Sequence, residues 1–323
     1  FRRVLFRSIL MTPAALNVED FAQGKVRIFE TKIQPGSQLA NIPLKDLRLP
    51  QDVLAGLIFR NNRMIIPHGD DYLLPHDNTF FVGASGEIEK FSKHFVGTGI
   101  KAPERVMIIG AGRTGRTLAK MLDKQGVQVK VIEKDAERSR MVAERIEEGI
   151  VVRGDGTDID LLTQEGVGEA DVVICLTADD KLNLMLALLA KHLGASRTIV
   201  RVARIEYVDL MEKVGVDIVL SSRLLAAGEI LAFARRGGVV SVALLEGAKA
   251  EAMEVIVQKG SYVENKKLMD LQLPKECLIC AFVRDDEAFV PTGQSSLQAG
   301  DRAILFIRME FANKVMKYFA GKA

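Results

Sequence analysis

The chain repeats itself. Sliding its 323 residues by 224 positions brings two segments into register without a gap. Gly36-Ser37 falls on Gly260-Ser261, and Asp46-Leu47-x-Leu49-Pro50 on Asp270-Leu271-x-Leu273-Pro274. Arg60, Pro67, Gly69, Leu73 and Asp77 meet Arg284, Pro291, Gly293, Leu297 and Asp301, and Lys93 and Phe95 meet Lys317 and Phe319. About a quarter of roughly sixty positions are identical, well above chance for a single register. Equivalent sequences must make equivalent structures, so each copy is one small α+β unit. The pattern reads as a strand, a short helix ending near the Leu-Pro, and a strand at Val53–Phe59 or Leu278–Val283. A turn, another strand, a Gly/Asp loop, a final strand and a terminal helix complete it.

Between the copies the pattern changes to alternating strand and helix. Strands are expected at Arg105–Ile109, Val127–Ile132, Ile150–Val152, Val172–Leu176, Thr198–Val202 and Ile218–Leu220. Helices are expected at Thr114–Gln125, Ala136–Glu148 and Lys181–His192. Such alternation specifies a parallel sheet covered on both faces, and six strands in two halves give the doubly wound dinucleotide fold. The fold class is therefore α/β: a Rossmann-like domain flanked by two small repeated α+β domains.

Composition removes several alternatives. Hydrophobic residues make up 48% and charged residues 27%, the profile of a globular chain rather than a disordered one. Lys+Arg number 44 against 42 Asp+Glu, so a general nucleic-acid-binding surface is not expected. The longest apolar stretches, such as Leu184 to Ala190, fall far short of the ~20 residues that span a bilayer. Three cysteines, Cys175, Cys277 and Cys280, make no disulfide framework and suggest a reducing compartment.

The strongest local signal is Gly110-Ala111-Gly112-Arg113-Thr114-Gly115, directly after a strand and opening a helix. Gly110 permits the tight turn, Gly112 lets a pyrophosphate approach the backbone, and Gly115 allows close helix–strand packing. The helix N-terminus offers unpaired N–H groups and a partial positive charge to phosphates. Glu133, 18 residues beyond Gly115, ends the second strand where a carboxylate accepts hydrogen bonds from ribose hydroxyls. A 2′-phosphate would meet that carboxylate, which disfavours NADP; Lys134 and Arg138 weaken the argument without reversing it. NAD, ATP and ADP share the adenosine ribose, so Glu133 does not choose among them. Two further loops face the same crevice, Gly154-Asp155-Gly156-Thr157-Asp158 and Thr177-Ala178-Asp179-Asp180. Asp158 and Asp179 read equally as helix caps or ligand contacts. Asp155, Thr177, Ala178 and Arg201 are expected contacts.

Catalytic machinery is not expected. His68, His76 and His94 lie in the first small unit, and His192 ends a helix away from the strand ends. Tyr318-x-x-x-Lys322 imitates a dehydrogenase Tyr/Lys pair but sits in the final helix. Cys277-x-x-Cys280 lies in a strand, where such positions point to opposite faces, and reads as core. His68-Gly69-Asp70-Asp71 with His76-Asp77 has metal-capable side chains, yet its repeat partner is Thr292-Gly293-Gln294-Ser295, so a structural loop is expected and no metal.

The run Val106 to Gly115, the Gly154–Thr157 loop, Ala170-Asp171, and Thr177 through Asn183 resemble the N-terminal subdomain of RCK (KTN) domains. Arg201, Tyr207-Val208-Asp209-Leu210, Gly215-x-Asp217 and Ser221 extend that resemblance. The repeated unit is similar to the C-terminal subdomain of the same family. The order resembles the tandem-RCK regulators of Trk-type potassium uptake, N-terminally truncated. That resemblance implies a non-enzymatic regulatory subunit, cytoplasmic and peripheral on the inner face of the plasma membrane. It implies a membrane-embedded potassium transporter as partner, a homo-oligomeric ring of four tandem units, and NAD(H), ATP or ADP as ligands. Two other readings stay open: an NAD-dependent oxidoreductase, and a regulator of another cation transporter such as a potassium/proton antiporter.

The expected domains are 25–98 and 251–323 for the two small units, 104–222 for the nucleotide-binding domain, and 223–250 for a crossover helix and linker. Leu224–Arg235 reads evenly as a helix locking neighbouring subunits or as a sixth helix on its own sheet. Residues 1–24 read as the exit from a missing upstream domain starting about 120 residues before Phe1. Phe1 to Ser8 is a poor signal peptide and reads as a non-native scar, with a basic membrane anchor through Arg2, Arg3 and Arg7 as the alternative.

Overall fold

The computed structural model describes residues 15–50, 52–61, 63–96, 103–235 and 238–321; the expectations for residues 1–14 lie outside these. The first small domain is a five-stranded antiparallel sheet of β1 (Asn17–Phe21), β2 (Val26–Lys32), β3 (Val53–Arg60), β4 (Arg63–Ile65) and β5 (Asn78–Ala84), in the order β1-β2-β5-β3-β4. Helix α1 (Ser85–Phe91) follows. Ile88 and Phe91 turn inward to Phe29 and Phe81 and build the core on one sheet face.

The middle of the chain forms a six-stranded parallel sheet. Its strands are β6 (Arg105–Ile109), β7 (Gln128–Glu133), β8 (Ile150–Arg153), β9 (Val172–Cys175), β10 (Thr198–Val202) and β11 (Ile218–Ser221). The order β11-β10-β9-β6-β7-β8 reverses direction at β6, which opens a crevice at the carboxyl ends of β6 and β9. Helices α2 (Arg113–Asp123), α3 (Ala136–Ala143), α4 (Ile159–Gln164), α5 (Asp180–His192) and α6 (Val208–Lys213) connect the strands. Helix α3 is shorter than the expected Ala136–Glu148, and the reason is specific. The Asp123 carboxylate accepts the N–H groups of Glu147, Glu148 and Gly149 at 2.7 to 3.1 Å, drawing them out of the helical ladder.

Helix α7 (Ser222–Ala234) leaves the parallel sheet and packs from Leu231 and Ala232 onto the second small domain. A Cβ at Gly228 would lie 2.5 Å from the Val242 carbonyl oxygen, so the helix approaches that backbone closely. The second small domain repeats the first with β12 (Val239–Leu245), β13 (Ala250–Ile256), β14 (Cys277–Arg284), β15 (Glu287–Phe289), β16 (Arg302–Arg308) and α8 (Ala312–Phe319). Its order, β12-β13-β16-β14-β15, is the same, and so is the bulge, at Gly56 in one copy and Cys280 in the other. Residues 17–21 and 239–245, expected to be linker, add a first strand to each small sheet by pairing with β2 and β13. The neighbouring strand supplies the hydrogen-bonding ladder that no local signal announces.

One ion pair fastens each copy. Arg60 grips Asp77 through Nε at 2.9 Å and a terminal nitrogen at 2.8 Å, and Arg284 grips Asp301 in the same way. The same guanidiniums donate to the carbonyls of Tyr72 and Ser296, and the same carboxylates accept from Leu74 and Gln298 N–H. The two small domains also share a core. Phe59, Phe80 and Phe21 of one inner sheet face meet Ala252, Ile304 and Phe306 of the other. Covered on both faces, β5 and β16 run almost wholly apolar (TFFVGA and AILFI), which is why they lack the alternation of a half-exposed strand. Two compact units result, the parallel-sheet domain through Arg223 and the paired small domains with the chain from Leu224. Among the described residues no helix is long and apolar enough to cross a membrane.

Candidate functional site

Gly110 follows β6 with φ +103°, and a Cβ there would stand 3.0 Å from the Leu176 carbonyl carbon and the Thr177 nitrogen. Only glycine turns the chain this close to the neighbouring strand end. At Gly115 a Cβ would lie 2.0 Å from the Gly110 carbonyl oxygen, so helix α2 rests directly on the loop. Gly112 differs: nothing lies within 4 Å of its absent Cβ, and it caps α2 with no side-chain hydrogen bond. Arg113 is exposed, and Thr114 half-buried, in the first turn that follows.

The neighbouring helices start otherwise. Asp135 accepts from Arg138 N at 2.8 Å to cap α3, Asp158 accepts from Asp160 N and Leu161 N to cap α4, and Asp179 accepts from Lys181 N and Leu182 N to cap α5. Asp158 and Asp179, read from sequence as caps or contacts, are caps here. Three aspartates thus neutralise three helix starts, and α2 is left without a side chain doing so. Its orphan N–H groups and positive end suit a phosphate.

Glu133 is buried at 6% exposure beside that opening. One carboxylate oxygen accepts the Ala111 N–H at 2.6 Å and the other accepts the Asp135 N–H at 2.9 Å. The residue expected to meet a ribose therefore also braces the glycine loop, and each oxygen retains a further acceptor site. Asp155 is exposed and folds onto its own turn, accepting from Thr157 N and Oγ1 at 2.9 Å. Those bonds, the backbone one first, hold its carboxyl below the usual range.

Across the crevice, Asn183 was not singled out as a site residue, yet it organises the second wall. It is fully buried; its Oδ1 accepts Thr177 N at 2.8 Å and Thr177 Oγ1 at 2.7 Å. Its Nδ2 donates to the carbonyls of Thr177 and Arg201 at 3.1 and 3.0 Å, tying β9 to β10. The available signal was a lone amide among Leu182, Leu184 and Leu186. Arg201 donates to the Thr177 carbonyl at 3.3 Å, and its buried Nε has no partner. Asp180 accepts from Ala203 N and Arg204 N, fixing the following loop, and Ala178 is exposed at the rim. The structure thus joins Gly110 through Gly115 with Glu133 at one wall, and Thr177 with Arg201 at the next strand end. An uncapped helix start, open space at Gly112 and an orphaned guanidinium N–H together fit a phosphate-bearing nucleotide.

Cys175 and Cys280 are buried, and burial pushes the Cys175 thiol up to about 12, which makes it inert. Cys280 donates to the Ile304 carbonyl in the shared core. Among the described residues no group of three or more His, Cys, Asp or Glu could hold a metal. Asp71 accepts the His68 N–H and Asp77 serves Arg60, so both work within their own loops. Tyr318 packs edge-on against Tyr262 in the second small domain; Lys322 lies outside the described residues.

The sequence model of the TrkA-N domain matches residues 106–222, and that of the TrkA-C domain matches 28–96 and again 252–320. The chain belongs to the TrkA family. The TrkA-N match spans the parallel sheet and its glycine loop, and the TrkA-C matches span the two small domains. Trk system potassium uptake protein TrkA homolog 1 of Methanosarcina mazei is 36% identical over 312 residues, covering 96% of this chain and 69% of the relative. Trk system potassium uptake protein TrkA of Vibrio alginolyticus is 33% identical over 306 residues, covering 93% and 66%. Among solved structures, the GsuK channel has a TM-score of 0.53 at 22% identity over 97% of this chain and 56% of that one. A GsuK channel bound to NAD has a TM-score of 0.51, also at 22% identity, over 96% and 56%. At that identity the likeness shows a shared fold, which joins this TrkA-family chain to the RCK architecture expected from its motifs.

Proposed function

We propose that this chain is a nucleotide-sensing regulatory subunit of potassium uptake, binding NAD(H) at the carboxyl edge of the parallel sheet. The observation that carries the reading is the uncapped start of α2 at Gly112, flanked by the Glu133 carboxylate, where the three neighbouring helices are capped. Gly112 through Thr114 would hold the diphosphate, and Glu133 the adenosine ribose. Thr177, Ala178 and Arg201 would meet the remainder from β9 and β10. Glu133 gives NAD(H), ATP and ADP an advantage over NADP. The TrkA-family relatives carry the link to potassium, and the NAD-bound GsuK channel is the precedent for the nucleotide.

The bound nucleotide supplies binding energy and is not consumed. A ligand moves a conformational equilibrium only by its differential affinity for the two states. Taking a gate from 1:99 to 99:1 needs about 5.5 kcal/mol, and a tenfold preference supplies about 1.4 kcal/mol per site. About four coupled sites suffice, a physical reason for a ring of such chains beneath a membrane-embedded potassium transporter. The chain would then work at the cytoplasmic face through that partner.

Thermal unfolding with NAD, NADH, ATP, ADP and NADP, on wild type and Gly112→Asp, tests the reading. Wild type is expected to shift upward with NAD, NADH or an adenine nucleotide and least with NADP. Gly112→Asp is expected to melt within about 1 °C of wild type, since the site is open, and to show no shift. No shift of wild type with any of the five overturns nucleotide binding, and substrate-dependent oxidation of NADH overturns the sensing role.

A further inference from the structure

We propose that the inner faces of the two small domains carry a volume code that lets each pair only with the unlike copy. The two sheets share one core, and equivalent positions contribute to it from both sides. Copy one presents the larger residues at most of these positions: Ile28, Leu57, Phe59 and Phe21 correspond to Ala252, Ala281, Val283 and Leu245. One layer reverses the trend. Gly56 corresponds to Cys280, and Val82 to Phe306.

The reversal has a visible cause. A Cβ at Gly56 would lie 2.7 Å from Cε2 and 2.9 Å from Cδ2 of Phe306, so that ring lies directly on the glycine. Gly56 has no left-handed φ, so the ring and not the backbone requires glycine here. Phe306 is fully buried and meets Phe80 with ring centroids 6.2 Å apart, which limits how far it can yield. The repeat register places Val82 and Cys280, both in the same core, at the equivalent contact.

Three pairings can be weighed. Unlike copies set the Phe306 ring on Gly56 and, by the repeat register, Cys280 opposite Val82, so neither layer joins two large or two small residues. Two first copies would give Gly–Val twice, leaving a void at each. Two second copies would give Cys–Phe twice, forcing a side chain into a ring. Voids and overpacking both destabilise a core, so only the unlike pair is well packed. Polar contacts also cross the edge of this core. Glu254 accepts the Ala22 N–H at 3.1 Å, Asn78 donates to Glu246 at 2.6 Å, and Lys25 pairs with Asp286 at 2.6 Å.

The full chain, in reducing buffer, tests this by thermal unfolding. The double variant Gly56→Cys with Val82→Phe makes both contacts overpacked. The double variant Cys280→Gly with Phe306→Val makes both void. Each is expected to lower the unfolding temperature by about 10 °C. All four substitutions together restore two filled contacts and are expected to melt within about 4 °C of wild type. A fourfold variant no more stable than the better of the two doubles overturns the code. If neither double folds, a folded fourfold variant supports it and an unfolded one overturns it.

Discussion

The Arg–Asp corners of the small domains and the carboxyl edge of the parallel sheet are both loops rich in glycine and aspartate, and they do opposite things. At Asp77 and Asp301 each carboxylate takes a guanidinium and a backbone N–H, and each guanidinium also takes a carbonyl. The arrangement occurs twice with its partners in the same places, as structural fastening does when a fold is duplicated. At the crevice, three helix starts are closed by aspartate while α2 stays open at Gly112, and a buried Arg201 nitrogen has no partner. Polar residues alone do not mark a ligand site. Hydrogen-bonding capacity left unmet within the chain does.

Substitutions in the two regions should separate in kind as well as in size. Asp301→Ala, which strands Arg284, is expected to lower stability by about 3 kcal/mol in urea unfolding while the nucleotide-induced thermal shift persists. Loss of that shift would mean the corner also serves the ligand. Gly115→Ala drives a methyl toward the Gly110 carbonyl and is expected to lose about 2 to 3 kcal/mol together with all nucleotide response. A normal response in this variant would detach the loop from binding. For Asn183→Leu, which leaves the Thr177 N–H without its acceptor, about 2 kcal/mol and roughly tenfold in nucleotide affinity are expected, read by calorimetric titration. Asp158→Ala is expected to lose about 1 kcal/mol of helix capping with affinity unchanged. A measured fall in affinity would return Asp158 to the ligand.

Much of the parallel-sheet domain was legible because its signals are local. Strands β6 and β10 lie where their apolar runs begin and end, and the glycine loop follows β6 as its spacing requires. The repeat predicted equivalent copies, and even the strand bulge recurs at equivalent positions. Asn183 falls within the run that carries the family resemblance, but its role was not legible because its partners are Thr177 and the Arg201 carbonyl, on two strands brought together only by the sheet. Helix α3 was read too long for the same reason, since Asp123 captures N–H groups more than twenty residues away. The reading of Leu224–Arg235 as a sixth helix on its own sheet gives way, because Gly228 approaches Val242 and α7 packs on the second small domain instead.

From residue order alone came the duplicated unit, the alternating α/β domain and the phosphate-loop glycines. Each rests on periodicity or on backbone freedom, which act over a few neighbouring residues. Folding in three dimensions decided that Glu133 braces Ala111, that aspartates close the starts of α3, α4 and α5 while α2 stays open, and that a Phe306 ring covers Gly56. Those outcomes depend on which distant atoms come within 3 Å, and hydrogen bonding and close packing act only at that range.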